Sequence, residues 1–132
     1  MANDALPQIQ NAIKGLLFMS ETDAPFEVIR WTRREPTLTG ADLRSLVGNN
    51  SNATVEEVSV AEFFGDLTQD QEWHDADDKK TVSQYRNLLA VLNSNLTELK
   101  VFKIGEVKVD IYVVGRTTGG DWAGVKTKAV ET

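Results

Sequence analysis

The sequence predicts an α/β protein, a single-domain α/β/α sandwich in which helices flank a mixed, largely antiparallel sheet. Three observations lead there. Leu6, Ile9, Ile13 and Leu16, and later Val82, Tyr85, Leu88, Leu89, Leu92 and Leu96, recur at helical spacing and mark two amphipathic helices. Val107, Val109, Ile111 and Val113 alternate with Lys108, Asp110 and Tyr112, which is the period of a strand. The last three apolar runs, over 99–104, 107–114 and 122–130, are joined by short connections, which makes them antiparallel neighbours. Helices and strands that both recur pack as layers, with helices on both faces of the sheet.

The elements follow in order. The first helix is expected over 4–17, with Asp4 as its N-cap, and residues 19–25 read as a polar loop. Residues 26–31 form a strand that Glu35-Pro36 breaks off. Thr39 can cap a short helix through Leu43, Leu46 and Val47, stopped by Gly48. A second strand follows at 55–60, then a short helix over 60–67 containing Phe63 and Phe64. The long helix comes next, then strands joined by a hairpin at Gly105-Glu106, a loop at 115–120 and a final strand ending two residues before Thr132. Neither an internal repeat nor a long linker interrupts residues 1–132, so one domain with one core is expected.

Composition narrows function. There is no cysteine and one histidine, which excludes disulfides, thiolate metal sites and His-pair chemistry. The first residues lack the basic stretch of a secretory signal and the best early apolar run, Leu16 to Met19, is far too short to span a bilayer; a cytoplasmic location is expected. The net charge of −6 is localised: Glu62, Asp66, Asp70, Glu72, Asp75, Asp77 and Asp78 fall in one stretch without a lysine or arginine, while the rest of the chain holds 13 acidic against 14 basic residues. Such a surface repels nucleic acid and attracts basic proteins, including proteins that themselves bind nucleic acid.

The motifs are mostly structural. Asp75-Ala-Asp-Asp78 fails as a calcium loop, because Lys80 and Arg86 stand where glycine and glutamate are required; these carboxylates suit the N-terminus of the long helix. Gly115-Arg-Thr-Thr-Gly-Gly120 precedes a strand rather than a helix and is not a phosphate cradle. His74 reads as a solvated loop residue, and no nucleophile converges with a base, so the chain is not expected to be an enzyme. Trp31 and Trp122 fall on strands and belong to the core or a sheet face. Trp73, between Asp70, Gln71, Glu72, His74 and Asp75, belongs to no apolar period. It either folds back as a lid on the core or stands out as an aromatic contact ringed by charge.

Several blocks resemble the nuclease A inhibitor family: Gly15-Leu-Leu-Phe-Met-Ser-Glu21, Pro25-Phe-Glu-Val28, Gln71-Glu-Trp73, Gly105-Glu-Val107, Asp110-Ile-Tyr-Val-Val-Gly115 and Thr127-Lys-Ala-Val-Glu-Thr132. They occur in the family's order and cover nearly the whole chain. The resemblance implies an α/β/α sandwich, monomeric when free, that binds a non-specific DNA/RNA endonuclease of the ββα-metal type one to one. It implies that Glu21 pairs with an active-site arginine of the nuclease and that Gln71, Glu72 and Trp73 supply central contacts. Thr132 would reach the nuclease's catalytic Mg²⁺, a hard ion that takes oxygen ligands. The inhibitor would carry no cofactor of its own. Residues 32–52 and 115–124 depart from the family pattern, which leaves a second reading open: the same scaffold serving as an interaction module for a different basic protein.

Overall fold

The computed structural model describes residues 5–19, 23–31, 38–40, 42–43, 54–69, 75–105, 107–117 and 119–130. Helix α1 (Ala5–Ile13) is followed by strands β1 (Leu17–Met19), β2 (Asp23–Pro25), β3 (Glu27–Trp31) and β4 (Val55–Val58). Helix α2 (Val60–Gly65) runs into a 3₁₀ turn (Asp66–Thr68), and helix α3 (Ala76–Asn95) leads to β5 (Thr97–Ile104), β6 (Lys108–Arg116) and β7 (Trp122–Val130). Five strands form one sheet in the order β3-β7-β6-β5-β4, and β1 pairs with β2 in a small second sheet. Every pairing among the described strands is antiparallel.

Alternation along the strands sends apolar side chains to both faces of the large sheet. Val101, Val109, Ile111, Val113 and Val125 meet α1, α2 and α3 through Ile9, Ile13, Phe64, Leu88 and Leu92. On the opposite face Phe102, Tyr112, Val114 and Trp122 pack with Leu38 and Leu43. There the chain makes a helical turn in which the Thr39 hydroxyl accepts from the Asp42 amide (3.2 Å) and the Asp42 carboxylate accepts from the Thr39 amide (3.0 Å). The capping role expected of Thr39 is thus realised, and both faces of the sheet are covered, which is the α/β/α arrangement.

The differences from the expected elements have local causes. The first helix stops at Ile13 rather than at 17, because Gly15 adopts a left-handed φ of 76° that ends the helix while still letting Leu16 reach the core. The polar loop expected at 19–25 is a hairpin: Leu17 pairs with Pro25 and Met19 with Asp23. Three-residue strands are too short to show a period. β6 begins at Lys108 and extends through Gly115 and Arg116, which pair with Ala123 and Trp122, so the loop expected from 115 starts later. Asp4, the expected N-cap of α1, lies outside the described residues, as do Leu46, Val47 and Gly48.

The carboxylates before α3 do form a cap, with Asp75 as the N-cap residue. Its side chain accepts from the Asp78 amide (2.8 Å), while the Asp78 carboxylate accepts from the Asp75 amide (3.3 Å). Asp77 and Asp78 also sit in the first turn, where negative charge opposes the helix dipole. Asp75→Ala should therefore cost about 1 kcal/mol in urea-monitored unfolding.

Candidate functional site

The strand register shows which parts of the chain share one end of the molecule. Val55 pairs with Ile104, Ile104 with Asp110, Asp110 with Lys128, and Lys108 with Val130. The start of β4, the end of β5, the start of β6 and the end of β7 therefore lie together. The opposite end collects Trp31, Trp122, Arg116 and Thr97. Between β5 and β6, Gly105 holds the hairpin at a φ of 113°, where a Cβ would collide with the Lys108 carbonyl oxygen.

Helix α3 enters β5 through Leu96, so its C-terminus lies at the Trp122 end. Its 20 residues span about 30 Å at the usual helical rise, enough to carry Asp75 back along the sheet towards Val130. Helix α1 runs antiparallel beside it: Asn95 Nδ2 donates to Gln8 Oε1 (3.0 Å), while Leu17, just beyond the end of α1, is hydrogen-bonded to Tyr85, ten residues earlier in α3.

Side chains then tie the β1–β2 hairpin and the 3₁₀ turn into that half. The Tyr85 hydroxyl donates to the Leu17 carbonyl (3.0 Å), and burial pushes its pKa well above the ordinary phenol value, so it remains a donor. Arg86 Nε donates to the Thr68 carbonyl (2.7 Å), and the Thr127 hydroxyl donates to the Pro25 carbonyl (3.0 Å). Phe18 stacks on Phe63 with centroids 5.7 Å apart and meets Phe26 edge-on at 6.2 Å. These contacts hold the described residues that flank 20–22 and 70–74 in the half that also contains the end of β7.

Glu21, Gln71, Glu72, Trp73 and Thr132 themselves lie outside the described residues, as do His74 and Asp70. What the structure describes is the framework from which their segments depart: β1 and β2 on either side of 20–22, the 3₁₀ turn and Asp75 on either side of 70–74, and Val130 before the last two residues. Of the acidic stretch, Glu62, Asp75, Asp77 and Asp78 are exposed. No group of three or more potential metal ligands occurs among the described residues. None of the described helices is long and apolar enough to cross a membrane.

Two further features were not foreseen from the sequence. A surface groove of about 400 Å³ lies against the β1–β2 hairpin, with Phe18, Val58, Phe63 and Leu67 as its apolar lining and Glu56, Glu62 and Lys103 as its charged groups. The adjacent phenylalanines were visible in the sequence, but nothing there joins them to Glu56 on an edge strand. At the far end, Arg30 pairs with the buried Asp121 at 2.6 Å, and the Thr117 amide donates to the Asp121 carbonyl (2.8 Å). The turn before β7 is thereby fastened to β3, at the end of the sheet remote from Val130. The two tryptophans on strands are as expected: Trp122 is fully buried, and Trp31 is half-buried against Tyr112.

A family model described as nuclease A inhibitor-like protein matches residues 3–132. No curated protein matches the chain.

Proposed function

The chain belongs to the nuclease A inhibitor-like family, and from that premise we propose that it inhibits a non-specific, Mg²⁺-dependent DNA/RNA endonuclease of the ββα-metal type, binding it one to one. The match over nearly the whole chain carries this reading. It is supported by the fold, which draws the flanks of three sequence-distant segments into one half of the molecule.

In the proposed complex Glu21 pairs with an arginine of the nuclease active site, and Gln71, Glu72 and Trp73 form the centre of the contact. Trp73 acts as an aromatic anchor, the residue type that most often dominates interface energetics. Thr132 offers oxygen to the partner's Mg²⁺, replacing a water in its coordination shell. Only Glu131 stands between Thr132 and the paired strand that ends at Val130, so little chain must be ordered for this contact. The carboxylates between Glu62 and Asp78 face the basic groove that normally takes phosphate. The inhibitor contributes shape, charge and one oxygen; the partner contributes the metal.

Titrating such a nuclease with the purified protein, at enzyme concentrations above the dissociation constant, should abolish hydrolysis of both DNA and RNA near equimolar ratio. Activity that survives a large excess would refute inhibition. Association should also be steered by charge. The Debye length shrinks from about 30 Å at 0.01 M salt to about 8 Å at 0.15 M, so the association rate should fall steeply over that range. A flat rate would remove the electrostatic part of the mechanism.

A further inference from the structure

The groove beside the β1–β2 hairpin extends this reading and rests on it. We propose that it receives an arginine side chain of the partner nuclease, with the aliphatic stem along Phe18, Val58, Phe63 and Leu67 and the guanidinium between the carboxylates of Glu56 and Glu62.

The lining and the charges select this occupant together. Phe18, half-buried and stacked at 11° on the buried Phe63, presents ring surface against which a flat cation can lie. Glu56 stands on the edge strand β4 and Glu62 on α2, both exposed, so that carboxylates approach the groove from two different elements. Lys103 is the cross-strand neighbour of Glu56. Among the described residues the groove therefore holds two carboxylates against one ammonium, and an incoming guanidinium balances the excess. An apolar side chain would cover the rings but leave that charge uncompensated. Lysine would carry the charge but has no planar fork to lie on a ring while bonding carboxylates.

The occupant comes from a basic partner rather than from a second copy. A second copy brings a net charge of −6, and pairing β4 with another β4 would set Glu56 and Glu57 against like charges. Continuity points the same way. Phe18 belongs to β1, which precedes 20–22 in the sequence, and Leu67 belongs to the 3₁₀ turn, which precedes 70–74. The groove is thus lined by residues that closely precede, along the chain, both segments proposed to contact the nuclease, and a basic active-site rim supplies arginines to it.

The test compares Glu56→Gln, Glu62→Gln and the double variant with Glu57→Gln, using a purified sugar-nonspecific DNA/RNA endonuclease with Mg²⁺. Glu57 shares β4 but alternates to the other face, so its substitution removes the same charge outside the groove. Each groove variant should weaken inhibition roughly tenfold through faster dissociation, in line with loss of a charge-assisted hydrogen bond. Glu57→Gln should leave dissociation unchanged. Melting temperatures should stay constant, since all three side chains are exposed. Unchanged dissociation in the double variant, with inhibition by the unaltered protein intact, overturns the groove assignment alone. An equal loss in Glu57→Gln shows general charge steering and also overturns it. If the unaltered protein fails to inhibit, both the groove assignment and the proposed function fall.

Discussion

Trp122→Ala should lower the stability of the fold by roughly 3–5 kcal/mol, seen as a fall of roughly 10–20 °C in the thermal midpoint. Trp122 has no exposed surface and packs with Leu38, Leu43, Phe102, Tyr112 and Val114 on the face of the sheet away from the long helices. It also sits in register between Trp31 of β3 and Arg116 of β6, so the side chain removed fills the layer between the sheet and the turn at Thr39. Because this cavity opens at the end of the sheet remote from Val130, inhibition measured well below the midpoint should change little. Trp73→Ala should behave in the opposite way. An interface anchor lost from the 70–74 segment should weaken inhibition by at least ~2 kcal/mol and leave the melting curve nearly where it was. Melting and inhibition curves on the two variants separate these roles. A large loss of stability in Trp73→Ala would mean that Trp73 lids the core, and its proposed contact with the nuclease would fall.

Removing Thr132 should weaken inhibition about tenfold or more, equivalent to roughly 1.4 kcal/mol, without unfolding the protein. The strand pairing ends at Val130, so the deletion breaks none of the described ladder. The metal provides the sharper readout. If Thr132 contributes an oxygen to the partner's Mg²⁺, the unaltered complex should be tighter with the ion present than without it, and the deletion should erase that difference. Thr132→Val keeps the shape and removes the hydroxyl, so it distinguishes that oxygen from the others at this residue. A metal dependence that survives the deletion would exclude the metal bridge even with inhibition confirmed.

Much of the framework was legible in the sequence because it depends on short-range regularities. The apolar stripe at Val82, Tyr85, Leu88 and Leu92 buries those four residues of α3, as a helical period requires. Asp75 and Asp78 could be read as a helix start because the capping box is a local device. The β5–β6 hairpin followed from Gly105 between two apolar runs, and its left-handed φ is the reason glycine stands there. The small β1–β2 sheet was missed because three residues establish no alternation; its stability comes from contacts made elsewhere, such as Tyr85 to Leu17 and Thr127 to Pro25. The length of α1 was overestimated for a related reason. Leu16 keeps the apolar period beyond Gly15, although the backbone has already left the helix.

By itself, the sequence determined the types of the longer elements, the concentration of negative charge between Glu62 and Asp78, and the family, because each is carried by residue identity and spacing along the chain. It could not determine which segments share an end of the molecule. That depends on strand order and register: only with β7 beside β6, and Val130 opposite Lys108, does the last strand finish at the same end as the β5–β6 hairpin. Nor could it join Phe18, Glu56 and Glu62 into one groove, since they stand on β1, β4 and α2 and meet only when the hairpin packs its phenyl ring onto Phe63. Residue chemistry is local to the chain, whereas a binding surface is assembled by long-range packing, and here the packing of one small hairpin against α2 and β7 decided where that surface could form.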